Sequence, residues 1–162
     1  TDSQWVVAVV DGIVKKHSAE LDEFIDLVRK NLQLVKEATL QEYDDESLQM
    51  QIIKLPTLLY LAGNGLEDIG SESEIAEYRR KELYNTVIES LDTGQYTIPD
   101  KKARAQKATE NEEMMEKIYD RAYKKLKLKI DHATKLLESL KKVADMRIAK
   151  SNKRSWRGND GF

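Results

Sequence analysis

Cysteine is absent from the 162-residue chain. That excludes a disulfide framework, a thiolate metal site and a cysteine nucleophile, and it suits a reducing cytosol. Proline occurs twice and glycine seven times. Breakers this scarce do not make a loop-rich or disordered chain; they favour long helices. No apolar run approaches the roughly 18 residues of a membrane-spanning helix. The stretch Trp5-Val-Val-Ala-Val-Val lacks a basic flank before it and is followed by Asp11-Gly12, so it does not read as a secretory signal.

Charge is abundant, at 35% of residues, and the net of −2 conceals how it is distributed. Residues 1–100 hold 9 Lys/Arg against 20 Asp/Glu, whereas residues 101–162 hold 18 against 9. A chain polarised in this way either binds a polyanion with its basic part or neutralises itself head-to-tail in an oligomer.

Hydrophobic spacing predicts an all-α fold, a helical bundle with a long C-terminal amphipathic helix that is coiled-coil-like or oligomeric. Gln4–Lys16 fits a strand by its valines and a helix by Trp5, Val6, Val9, Val10, Ile13 and Val14. Ser18 is placed to cap a helix over about residues 19–39, with Leu21, Phe24, Ile25, Val28, Leu32 and Val35 on one face. Asp44-Asp45-Glu46-Ser47 opens a second helix using Leu48, Ile52, Leu55, Leu59 and Leu61, kinked at Pro56 and stopped by Gly63-Asn64-Gly65. Ser71 and Glu74 form a capping box for a third, through Ile75, Tyr78, Val87, Ile88 and Leu91 to Gly94. Asp100 is placed to cap the next helix.

Lys101–Lys150 contains neither Gly nor Pro. Unbroken, it would be ~75 Å long, so it either breaks near Thr109–Asn111 or projects into an oligomer. The organisation expected is one domain: an acidic helical region over 1–100, a long basic helix over 101–150 and a flexible basic tail over 151–162.

At about 100° per residue the long helix has three faces. Met115, Ile118, Ala122, Leu126, Ile130, Ala133, Leu137, Leu140 and Ala144 form an apolar stripe. Lys117, Arg121, Lys124, Lys125, Lys135, Lys142 and Lys150 form a basic one, and Asp120, Asp131, Glu138 and Asp145 a narrow acidic edge. Asp120–Lys124, Asp131–Lys135 and Glu138–Lys142 are i,i+4 pairs of the kind that solvate an exposed helix for ~0.2–0.5 kcal/mol each. They leave an excess, because residues 117–157 carry 14 basic and 4 acidic side chains.

A polyanion is one sink for that excess, since each neutralised phosphate releases condensed counterions. An aromatic among cations can also stack on an unpaired base. The candidate nucleic-acid-binding residues are therefore Lys124, Lys125, Lys135, Lys142, Lys150, Lys153, Arg154, Trp156 and Arg157. The rival sink is the acidic N-terminal half, folded back or on a neighbouring subunit. His17 and His132 are isolated, without an HExxH pattern, and read as structural or surface residues. Asp44-Asp45-Glu46 lacks Ca²⁺-loop spacing, and Gly63-Asn64-Gly65 lacks the lysine and serine of a phosphate loop. No metal site, cofactor or nucleophile–base pair is read, which argues against an enzyme.

From Lys54-Leu-Pro-Thr-Leu-Leu to Asp145-Met-Arg147 the chain resembles a bacteriophage protein, the nearest family being the UvsY-like recombination mediators. The resemblance lies in Tyr78-Arg-Arg-Lys-Glu-Leu-Tyr84, a short linker, Asp100-Lys-Lys-Ala-Arg-Ala105, the acidic Thr109-Glu-Asn-Glu-Glu113 and the long lysine-rich helix. It covers about 90 residues of the sequence. It implies a ring-forming, non-enzymatic accessory that binds single-stranded DNA and assists recombination or replication, with a recombinase or other phage protein as partner, in the host cytoplasm or the virion. It also implies secondary contacts at Arg79, Arg80, Lys81, Lys101, Lys102 and Arg104. Two other classes fit the sequence. One is an oligomeric phage structural or assembly protein, a scaffold or virion-internal component. The other is a small adaptor or inhibitor that docks on a host protein through the acidic half. No membrane association is expected.

Overall fold

The computed structural model describes residues 2–37 and 44–159, with side chains over 3–33 and 44–157. The described residues are all-α: α1 (Asp2–Glu37), α2 (Asp45–Ser90), α3 (Ile98–Ala108) and α4 (Glu110–Asn159). No described helix is long and apolar enough to cross a membrane.

The helices are fewer and longer than the local signals suggest. In α2, Leu48, Leu55, Ala62, Ile69 and Ala76 recur every seven residues, with Gln51, Leu58 and Gly65 between them, and all eight are buried. This 3.5-residue average keeps one face turned inward, and the repeat does not pause at Gly63-Asn64-Gly65. The helix therefore runs through the expected stop and through the expected capping box at Ser71, although each glycine costs about 1 kcal/mol in a helix interior. Pro56 is also interior to α2. Its missing donor lies on an exposed position.

The first helix is equally continuous. Gln4–Lys16 is helical, and Ser18, expected to cap a new helix, is buried in the middle of α1. Its hydroxyl donates to Asp22 one turn on (3.1 Å), which satisfies the group that would otherwise start a helix. Val35 and residues 38–39 of the expected helix lie outside the described side chains and residues.

The break near Thr109–Asn111 is present, at Thr109. The buried Thr109 hydroxyl donates to the Ala105 carbonyl (2.9 Å), and Glu113 N–H donates to the Thr109 carbonyl (2.9 Å), so α3 passes directly into α4. α3 is capped by Thr97 rather than by Asp100: the Thr97 hydroxyl accepts from Asp100 N–H and donates to the Asp100 carboxylate. At the far end α4 continues past Lys150 to Asn159, as helix where a flexible tail is expected. Asp160–Phe162 lie outside the described residues.

The chain forms two compact units, Thr1–His17 with Asn64–Lys127, and Ser18–Gly63 with Leu128–Phe162. In the first, Val10, Val14, Ile69, Ala76, Ala105, Ile118, Ala122 and Leu126 are buried. Arg80 donates to Glu116 at 2.5 Å and Lys101 to Asp92 at 2.7 Å. Arg104 lies over the Tyr96 ring, 4.6 Å from its centroid. In the second, Leu21, Phe24, Val28, Leu48, Leu55, Leu58, Ala62, Ala133, Leu137 and Leu140 make one apolar cluster. Fully burying each large member is worth ~1.5–3 kcal/mol. At its edge Lys54 lies over the Phe24 ring (5.4 Å).

The α4 stripe has the predicted phase. Ile118, Ala122, Leu126, Ala133, Leu137 and Leu140 are buried, and Ile130 and Ala144 half-buried. Met115 departs from it, 40% exposed where α4 has barely begun. Trp5, Leu61, Ile75 and Tyr78 are likewise exposed rather than core. On α2 the seven-residue repeat carries the inward face through Leu58, Ala62, Ile69 and Ala76, which turns Leu61, Ile75 and Tyr78 outward.

Candidate nucleic-acid interface

The basic residues of α4 fall into two groups by what they touch. Lys124 donates to Asp120 (2.9 Å) and Lys117 pairs with Glu113 (3.3 Å) along the helix. Lys125 donates to Asp11 of α1, Lys129 to Asp22 of α1 (2.9 Å), and Arg147 to Asp45 at the start of α2. The acidic N-terminal half is thus a real sink for part of the positive excess, within the chain itself.

Lys135, Lys142, Lys150, Lys153, Arg154 and Arg157 are exposed, and none has an ion pair among the described residues. The expected Asp131–Lys135 and Glu138–Lys142 pairs are not among the ion pairs of the described residues. Lys135, Lys142, Lys150, Lys153 and Arg157 share the helix side opposite the apolar stripe, over ~33 Å at ~1.5 Å per residue.

Every side chain from Ile148 to Arg157 is exposed, and Trp156 is 77% exposed. Lys150–Arg157 contains four cations and no carboxylate. Positive charge in the last turn of a helix is favoured by the helix dipole, and Arg157 stands there. Sequence reasoning missed Met146 (52% exposed) and Ile148 (59%) as surface residues of the same stretch. Both lie beyond Leu140, the last buried member of the apolar face among the described residues.

The secondary candidates are mostly engaged. Arg80 is bound to Glu116, which holds its guanidinium above its ordinary pKa. Lys81 donates to Glu77 (2.5 Å), and this hydrogen bond holds the Glu77 carboxyl below its usual range. Lys101 is mostly buried and does the same for Asp92. Arg104 is stacked on Tyr96. Arg79 and Lys102 are exposed; Arg79 lines a cleft of about 210 Å³ with Glu72, Ile75, Glu112 and Tyr119. The Glu112 Oε2 atom there is buried without a hydrogen-bond partner.

His132 is exposed and His17 half-buried. Among the described residues no group of three His, Asp or Glu is placed to hold a metal ion. The geometry that remains along α4 is a solvated row of cations with one exposed indole. No protein-family model, curated protein or solved structure matches the chain.

Proposed function

We propose that the chain is a non-enzymatic binder of single-stranded nucleic acid that uses α4 from Lys135 to Arg157. The observation that carries this reading is the helix end itself. Lys150, Lys153, Arg154 and Arg157 are exposed with no carboxylate among them, and Trp156 stands in their midst. Phosphates supply the missing charge partner, and the indole offers a stacking platform that a duplex, with its bases already stacked, cannot use. Lys124 and Lys125 are supporting contacts at most, because each is bound to a carboxylate of the chain. The UvsY-like resemblance would set such binding in recombination or replication of a phage genome, alongside a recombinase.

The test is a fluorescence-anisotropy titration of single-stranded and duplex oligonucleotides at two salt concentrations. Tighter binding to the single strand, weakening steeply with salt, supports the reading. Absence of binding at moderate salt moves the assignment to an oligomeric structural or assembly protein, a role that the same charges can serve by meeting acidic protein surface, as Arg147 meets Asp45.

A further inference from the structure

Two segments of the chain carry opposite surfaces. Glu67–Tyr78 of α2 contains five carboxylates and no cation. Glu67, Asp68, Glu72 and Glu74 are exposed, and none has an ion pair among the described residues. Among them Ile75 is 42% and Tyr78 67% exposed. Met146–Arg157 of α4 contains five cations and no carboxylate. Four of the five are exposed, with Met146, Ile148 and Trp156 beside them.

The acidic segment is also indented. The 210 Å³ cleft opens beside Glu72 and Ile75, and a second of about 480 Å³ opens beside Glu67, Gly70 and Glu74. The first is smaller than the ~300–1,000 Å³ that holds a drug-sized ligand and suits single side chains. Its buried Glu112 Oε2 lacks a donor, and a tryptophan brings one N–H on an apolar body.

We infer that the Glu67–Tyr78 face of α2 seats the Met146–Arg157 end of α4 from a second copy of this chain. The charges match in number and oppose in sign, and both surfaces expose apolar side chains that an interface core would bury. The acidic face repels nucleic acid and anionic lipid, so a basic protein segment is the partner it fits. The two patches differ, which makes the contact heterologous: each copy offers one of each, and assembly proceeds to a ring or a filament. One consequence rests on the nucleic-acid reading above. Lys150, Lys153, Arg154 and Arg157 would be shared, so phosphate and the neighbouring copy compete for the same cations.

The experiment uses the full chain without nucleic acid, in sedimentation velocity at low salt, about 50 mM. The wild type should sediment above its 18.7 kDa monomer mass. The triple variants Glu67→Lys/Glu72→Lys/Glu74→Lys and Lys150→Glu/Lys153→Glu/Arg154→Glu should each associate at least about tenfold more weakly, since like charges then face each other. Their equimolar mixture should reassociate, because each reversed patch meets its complement on the other variant. A monomeric wild type, variants that assemble as before, or a mixture of helical variants that stays monomeric overturns the proposal. In a parallel titration with single-stranded DNA, the α2 variant should keep binding and the α4 variant should lose it. Reassociation with no DNA binding by any form would sink the nucleic-acid reading and leave this interface standing.

Discussion

Gly65 of α2 lies so close to His17 of α1 that a Cβ built on it would fall 2.7 Å from the His17 Cβ. Gly63, two residues earlier, has nothing within 4 Å of the same position. The two glycines therefore predict opposite results. Gly65→Ala gains helix propensity of about 1 kcal/mol but forces atoms next to two backbones apart, and overpacking of that kind costs ~1–3 kcal/mol. It should lower the melting temperature by a few degrees. Gly63→Ala meets no obstacle and should raise stability by ~0.5–1 kcal/mol. Thermal melts of the two variants decide it; equal shifts would remove the close approach.

That pair also marks where the sequence misleads. Glycine and serine are read as punctuation, yet Gly65 serves as the smallest residue at a crowded position, and Ser18 is satisfied by Asp22 within its own helix. Burial along a continuous seven-residue repeat outweighs these local preferences, so two expected boundaries vanish. The phase of α4 is legible from sequence, because an apolar stripe of nine positions leaves little freedom for the inward face. The pairing of the lysines is not: Lys125 and Asp11 are 114 residues apart, and Arg147 and Asp45 102 apart. No i,i+4 rule foresees such partners, whereas Asp120–Lys124 is local and forms as expected.

Leu126 and Leu128 are two residues apart on α4, the first fully buried and the second 55% exposed. Leu126→Ala should cost ~2–5 kcal/mol, the transfer of its methyl groups plus the cavity left behind. Leu128→Ala should stay within about 0.5 kcal/mol of wild type. Urea denaturation of both variants checks the phase of the helix, and comparable losses at the two sites would contradict it.

Acid should weaken the fold through the α2–α3 connection. The hydrogen bond from Lys101, then its charge, holds the Asp92 carboxyl below its ordinary pKa, and Lys81 does the same for Glu77. The unfolded chain therefore binds more protons across the carboxylate range. Each pair's contribution is present above the ordinary carboxylate pKa and is lost as the pH falls through the depressed native value. Asp92→Asn should lower the urea midpoint slightly at neutral pH and narrow the difference between neutral and acidic pH. The effect is small because Asp92 is exposed. An unchanged or widened difference would show that the pair contributes nothing.

The lysines of α4 should separate by their partners when nucleic acid is titrated. Lys135, Lys142 and Lys150 are exposed without ion pairs among the described residues, while Lys124 is bound to Asp120. Each phosphate contact on a single strand contributes about 0.7 to the slope of log K against log salt. Lys135→Gln/Lys142→Gln/Lys150→Gln should therefore weaken binding to every sequence alike and flatten that slope by roughly 2. Lys124→Gln should leave it nearly unchanged, since its charge is already met within the helix. Trp156→Ala should act through stacking: a loss of ~1–3 kcal/mol on single strands, little on duplex, and an unaltered salt slope, because an indole displaces no counterions. If instead the Trp156 variant loses affinity equally for single strands and duplex, the indole is not a stacking platform; if the triple variant keeps the wild-type slope, the cations of α4 are not phosphate contacts. Their partner would then be a protein surface.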